Sequence, residues 1–361
     1  MKLDKTRVIS MGLLISTASV MSVSANAATG VTPPASQKVQ FKVSGQVSRA
    51  LTFADNGTQS DTLFVDNTNS GSRVRIVGKV GLSNNLSAGI NIETQFEDNK
   101  SYSLDIGDSD NNNVFTSRKR DLWFKGGWGK LSLGKGDGAA NNTSEADNSG
   151  TWIANNSGDF LHSGLSFVDS NGGKVKMKQA FSNFDGLSRN NRIRYDTPRF
   201  GPVGMAFSKK QKGTEFALTY NQPMGGGSKL TGAVGYVKDD ASNFKQLGLS
   251  TSYLTAGGLS LTGHYGKRNL AGTSIDPSGY YVKVGQKLGA AKNHLLSVGY
   301  HRVKDLALAG DRAKRYNLSY VYLIPNRGIE IFADVQKAKL NRTSGNLKDL
   351  DTISIGSRIK F

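Results

Sequence analysis

The end of the chain alternates. Ile353, Ile355, Ile359 and Phe361 share one parity, with Ser354, Gly356, Arg358 and Lys360 on the other. Side chains of a strand point to opposite faces with period two, so this segment presents one apolar face and one wet, basic face. The pattern recurs about sixteen times from residue 39 onward, with almost no stretch of helical period between. Strands that are apolar on one side only predict an all-β fold, a transmembrane antiparallel barrel with lipid outside and a polar interior.

The first predicted strand has Val39, Phe41, Val43, Gly45 and Val47 on one face and Gln40, Lys42, Ser44 and Gln46 on the other. The second turns Val74, Ile76, Val80 and Leu82 outward and Arg73, Arg75 and Lys79 inward. In the third, Ala88, Ile90, Ile92 and Phe96 alternate with Asn91, Glu93 and Gln95. Further strands are predicted at 121–125, 130–135, 192–195, 203–209, 215–221, 230–238, 247–253, 259–268, 280–288, 295–303, 316–323, 329–337 and 352–361. Short turns alternate with longer polar loops, as periplasmic and extracellular connections do in such barrels. Two connections stand out, an acidic one at 97–115 and an unpatterned one at 136–187. A connection as long as the second is normally functional. Within it, 174–181 alternates and reads equally as loop or as a short extra hairpin. Trp123, Trp128, Tyr253, Tyr265, Tyr280, Tyr316 and Tyr322 lie near strand ends, where a bilayer interface satisfies both ring and polar tip.

The start of the chain reads differently. Lys2, Lys5 and Arg7 precede an apolar run from Val8 to Met21, and Ala25-Asn26-Ala27 supplies a small-residue cleavage pattern. Residues 1–27 are expected to be a cleaved export signal, and 28–361 the barrel. The apolar run falls short of the roughly 20 residues that a membrane-spanning helix needs. Cysteine is absent, and a barrel closed by backbone hydrogen bonds needs no disulfides. The mean hydropathy of −0.39 is compatible with insertion, because only the outward half of each strand meets lipid. Formal charge is +18, and losing Lys2, Lys5 and Arg7 together with Asp4 leaves +16 on the mature chain. Such a balance suits anionic lipid or anionic solutes, while export makes nucleic acid an unlikely partner.

The chain resembles the general porins of Gram-negative outer membranes. The resemblance is carried by Ser72-Arg73-Val74-Arg75-Ile76-Val77-Gly78-Lys79 and Asn85-Leu86-Ser87-Ala88-Gly89. It continues through Trp123-Phe124-Lys125-Gly126-Gly127-Trp128-Gly129-Lys130-Leu131-Ser132-Leu133-Gly134-Lys135, then Arg192-Ile193-Arg194-Tyr195-Asp196, to the terminal Phe361. It implies a sixteen-stranded homotrimeric outer-membrane barrel with water-filled pores and a long third loop folded into the lumen. Acidic groups on that loop would face an arginine ladder, and the terminal aromatic, Phe361, would be read by the barrel assembly machinery. The acidic loop 97–115 would reach into a neighbouring subunit.

Charged groups lining a constriction select among passing ions. By parity the basic wall is Arg73, Arg75 and Lys79, then Arg192 and Arg194. Arg118 and Arg120 resemble the remaining rung, although their parity conflicts with Leu122 and Phe124 unless the strand bulges. Of the loop carboxylates Asp137, Glu145, Asp147 and Asp159, the two expected to face the wall are Glu145 and Asp147, while Asp137 and Asp159 read better as solvated loop charges. Lys283, Lys287, Arg315, Arg358 and Lys360 add inward cations later, so anions are the expected preference among small hydrophilic solutes and ions. The counter-reading is that basic rims bind lipopolysaccharide phosphates among the outer-membrane lipids. His162, His264, His294 and His301 lack ligand spacing. No metal, cofactor or catalytic activity is therefore expected. The glycines of 126–138 lack the strand–loop–helix setting of a phosphate-binding loop. The rival reading is a surface adhesin whose lumen is plugged by 136–187.

Overall fold

The computed structural model describes residues 39–108, 114–158, 161–343 and 345–361. The expected export signal and Asp159 lie outside the described residues. Among those described, an eighteen-stranded sheet contains two short loop strands, Ser60–Asp66 and Gly345–Asn346, leaving sixteen barrel staves. These are β1 (Gln40–Asp55), β2 (Arg73–Ser83), β3 (Leu86–Glu97), β4 (Val114–Gly126), β5 (Gly129–Asp137), β6 (Arg189–Asp196), β7 (Val203–Lys210) and β8 (Gly213–Pro223). They continue as β9 (Lys229–Asp239), β10 (Phe244–Leu254), β11 (Leu259–Leu270), β12 (Ser278–Leu288), β13 (His294–Lys304), β14 (Arg312–Ile324), β15 (Ile329–Arg342) and β16 (Leu350–Lys360). Each predicted strand falls on one stave. β16 closes on β1 from Gln46↔Lys360 to Asp55↔Asp351, so no long sheet edge is left open.

Polarity is inverted relative to a soluble protein. Ile353 and Ile355 on β16 are 50% and 54% exposed, whereas the alternating Thr352 and Ser354 are 2% and 0%. Leu218, Val234, Val282, Val298, Leu318 and Val335 are likewise exposed on neighbouring staves, and Ser250, Ser260, Ser297 and Ser319 are buried. Lipid replaces water around the outer face, and the hydroxyls of Ser250, Ser297, Ser319 and Ser354 bond to a neighbouring stave or to a loop within. Tyr280, Tyr300 and Tyr316 run across three adjacent staves with ring centroids 5.9 and 5.0 Å apart, giving the interface belt a continuous stretch. Trp123 does not belong to it. It shares the inward parity of Asp121, lies buried, and packs across the missing side chain of its register partner Gly89, where a Cβ would collide with its ring.

The connection between β5 and β6 folds inside the barrel. It contains an antiparallel pair, Ser166–Val168 with Lys174–Lys176, followed by a turn of helix, Met177–Ala180. The alternating 174–181 run therefore splits, its first half strand and its second half helix. Leu161, Leu165, Phe167, Met177, Phe181 and Phe184 are buried with Ile153 against Leu295, Val303, Ala313, Phe332 and Leu340 of the barrel wall. Each such side chain contributes about 1.5–3 kcal/mol on leaving water. The loop is thus a packed part of the barrel, not a hanging lid.

Polar pins hold it further. Ala146 and Asn148 donate backbone N–H bonds to Ser250 and Ser252 on β10, at 3.0 and 2.9 Å. Thr151 meets Ser297 on β13 at 2.7 Å, and Asn67 of the first extracellular loop donates to the Ile153 carbonyl at 3.0 Å. By these contacts the loop lines the β9–β16 side and leaves the β2–β6 side clear. The acidic loop 97–115 folds over its own lumen in its described part. Asp105 accepts from the Ser166 hydroxyl at 2.6 Å, and Leu104 and Ile106 join the apolar core.

Candidate functional site

Inward positions of β2 to β6 converge on one charged surface. At its centre Glu93 of β3 is fully buried. Arg118 donates to it at 2.6 Å and Arg75 at 2.6 Å, with Arg73 at 4.0 Å. Burial opposes a carboxylate, so this one persists only because guanidinium groups surround it. The parity conflict at Arg118 is resolved by a bulge: register slips between Glu93 and Thr94, placing an extra residue on β4. Arg118 and Lys119 consequently both face inward, Arg118 also donating to Gln95.

Arg120 is a correction. Beyond the bulge it shares the outward face with Leu122 and Phe124, opposite Ile92, and is exposed. Lys119 takes its place on the wall, paired with Asp137, which also meets Arg189 at 3.4 Å. Asp137 is therefore part of the charged wall and not a solvated loop charge. The pattern misses Lys119 because it lies before the predicted strand at 121–125, and Arg189 because it lies before the one predicted at 192–195.

Arg192 and Arg194 lie inward as predicted but are largely committed. Arg192 is buried, 2.7 Å from Asp121, and donates to the Gly134 and Asp137 carbonyls at 3.1 and 3.0 Å. Arg194 reaches Asp196 at 2.7 Å and the Gly138 carbonyl at 2.6 Å. Both therefore brace the foot of the inner loop. Lys79 remains exposed on the inward row of β2. Arg75, Lys119, Lys130, Asp137, Arg192 and Arg194 border a lumenal space of about 420 Å3.

The two loop carboxylates part company. Asp147 turns away from the arginine wall, into the far side of the barrel, where Lys283 of β12 donates to it at 2.7 Å and Ser149 N–H at 2.8 Å. Burial disfavours its charge, but Lys283 outweighs that and holds the carboxyl below the usual range. Lys283 also donates to the Asn155 carbonyl at 2.7 Å, so the pair clamps the loop to the wall. Glu145 stays within electrostatic reach of Arg189 and Asp137. Its carboxyl accepts from Asn183 at 3.0 Å. Burial, then the nearby Asp185, pushes it up to about 8. Asp185 keeps its charge more readily because Asn142 and Ser144 donate backbone N–H bonds to it at 2.6 and 3.0 Å. The inner loop thus opposes the basic wall with little negative charge at neutral pH. Phe361 ends the chain with an exposed ring, its backbone exchanging bonds with Gly45 at 2.8 and 3.0 Å.

A family model described as Gram-negative porin matches residues 14–343. No curated protein matches by sequence. Among solved structures the chain is similar to the anion-selective porin from Comamonas acidovorans, at 18% identity and TM-score 0.65, covering 90% of this chain and 100% of that one. It is similar also to the trimer form of OmpT of Vibrio cholerae, at 14% identity and TM-score 0.58, covering 90% and 99%. The DcaP outer membrane channel of Acinetobacter baumannii gives 11% identity and TM-score 0.60, covering 92% and 99%. At these identities the likeness is one of fold.

Proposed function

The chain belongs to the Gram-negative porin family, and on that premise we propose that its lumen favours small anions. The protein lies in the outer membrane and forms a water-filled channel for passive diffusion of small hydrophilic solutes. The selectivity rests on one observation. Arg73, Arg75, Lys79, Arg118, Lys119, Lys130, Arg189, Arg192 and Arg194 outnumber Glu93, Asp121, Asp137 and Asp196 on the β2–β6 wall. Opposite them, Asp147 is neutralised by Lys283 and Glu145 holds a proton near pH 7. An ion crossing this zone exchanges part of its hydration for a field that is positive on balance. The neighbour described as anion-selective agrees with this reading.

The test is a reversal potential across a KCl gradient in a planar bilayer. Its sign is expected to report chloride as the more permeant ion, and a potassium-favouring sign would refute the proposal. Acidity provides a second check. Raising pH through about 8 adds a negative charge beside Arg189, so anion preference is expected to fall over that window. Glu145→Gln should remove the dependence while leaving the preference seen at neutral pH. The same proton contributes stability that is complete below the ordinary carboxyl range and is lost as pH rises through about 8.

Three copies are proposed to assemble, as in the trimer form of the Vibrio protein. Phe361 is proposed as the signal read by the assembly machinery. Outward cations at the extracellular ends of the staves, Lys209, Lys245 and Lys314 among them, are proposed to meet lipopolysaccharide phosphates.

A further inference from the structure

A second space lies above the constriction, at the extracellular mouth. It holds about 440 Å3, within the usual range for small-molecule sites. Its walls come from parts of the chain far apart in sequence. Tyr102 belongs to the loop after β3, Lys178, Gln179, Phe181 and Asn183 to the inner loop, Arg268 to the top of β11, and Leu306 to the loop after β13.

The chemistry of this lining is one-sided. It carries two cations and no carboxylate. Among the described residues neither cation has an ion-pair partner. Lys178 donates only to the Tyr102 carbonyl, at 3.1 Å, and sits 4.3 Å over that ring. Arg268 donates its Nε to Gln246 at 2.8 Å, leaving the outer nitrogens of the fork without an acceptor among the described residues, and its plane lies over Phe244 at 4.6 Å. Both heads are therefore held in place by contacts that leave their charge uncompensated. Between them Phe181 and Leu306 supply apolar surface, and Gln179 and Ser182 supply neutral hydrogen-bonding groups. A bare halide would use the charge but waste the apolar wall. A hydrated cation would meet two uncompensated positive charges and no carboxylate.

We propose that this mouth pocket is a capture site for small organic carboxylates with an apolar body, which dock on Lys178 and Arg268 before passing to the arginine wall below. The proposal deepens the anion preference and rests on it. A carboxylate there would receive charge-assisted hydrogen bonds from two sides while its hydrocarbon part covered Phe181. Capture upstream of the narrow zone raises the local concentration of permeant solute without altering the narrow zone itself.

The experiment is chloride current through single channels with benzoate, acetate or benzylammonium added to the side bearing the extracellular loops. Benzoate is expected to reduce current saturably and at lower concentration than acetate, with benzylammonium giving no saturable effect. Lys178→Gln and Arg268→Gln should each weaken the benzoate effect about tenfold, the loss expected for one hydrogen bond to a charged group. Arg268→Lys, which keeps the stave's charge, should retain most of it and guards against a folding defect. Benzoate acting no better than acetate, or unchanged in the Lys178→Gln, Arg268→Gln double variant, overturns the capture site. The KCl reversal potential separates the two readings. A chloride-favouring sign with no saturable benzoate effect sinks the pocket alone, and a potassium-favouring sign sinks the anion preference on which it rests.

Discussion

A channel carrying glutamate at both Arg75 and Lys79 will prefer potassium over chloride. Both residues face the lumen from β2, and each exchange shifts the local charge by two units. A unit charge about 5 Å from a passing ion in a water-like medium is worth about 0.8 kcal/mol. Four units come to about 3 kcal/mol before salt screening, and about 1.4 kcal/mol already covers a tenfold preference. Arg75 is one of three guanidinium partners of the buried Glu93, so its exchange carries a stability cost, while Arg118, still donating at 2.6 Å, and Arg73 nearby keep that carboxylate compensated. Reversal potential is the readout. A sign that stays chloride-favouring would mean the selecting field lies elsewhere. Arg120→Glu gives the internal contrast: on the outward face beside Leu122 and Phe124, it should leave the reversal potential where it was.

That contrast marks where alternation stops informing. Period two places every stave, because lipid on one side and water on the other impose opposite chemistry on consecutive residues. It also places Arg73, Arg75, Lys79, Arg192 and Arg194 inward, and Lys283 with them. What misleads at Arg120 and Trp123 is not the period. Arg120 keeps the outward parity of Leu122 and Phe124 and was put on the wall by resemblance alone, while the inserted residue at the bulge turns Arg118 inward. Trp123 has the inward parity, but its aromatic character suggested an interface; what admits it to the lumen is the absent side chain of Gly89 across the register. The inner loop was legible as long and functional, not as packed. Phe167, Phe181 and Phe184 share no period, since the surface they meet is the curved inside of a barrel and not a flat sheet or a helix groove. Pairings such as Asp147 with Lys283 join residues that neither local pattern nor charge counting brings together.

The packing changes what the pore is. With an apolar core filling the β13–β16 side beneath the inner loop, solute is confined to the β2–β6 side, where the cations concentrate. Selectivity follows from this asymmetry more than from total charge. Lys283 and Arg315 are cations of the barrel interior, yet both are buried behind the loop, Arg315 donating to the Asn156 carbonyl at 2.7 Å. They stabilise the loop and do not meet the permeating ion. Arg358 and Lys360 are likewise tied to Glu330. The formal +18 of the whole sequence therefore overstates the field along the path, while the local excess on β2–β6 describes it.

Replacing Lys283 with methionine should loosen the inner loop while leaving the barrel closed. Lys283 and Asp147 are both buried, with side chains 0% and 5% exposed. Removing the ammonium leaves a carboxylate facing the wall without a counter-charge, a change that typically costs about 3–5 kcal/mol. The staves keep their backbone ladders, and Phe181 and Leu161 still anchor the loop's far part, so the loss should be local. Expected results are a lowered unfolding midpoint in urea and rapid fluctuations of single-channel current that the parent lacks. Asp147→Asn combined with Lys283→Met removes both charges and should recover most of the lost stability, because two apolar or neutral partners of similar size bury more easily than one orphaned charge. The double-mutant cycle isolates the pair from the neighbouring Thr151–Ser297 and Asn148–Ser252 pins. If the single and the double variant fall equally in stability and fluctuate alike, Lys283 acts by packing alone and the clamp is not electrostatic.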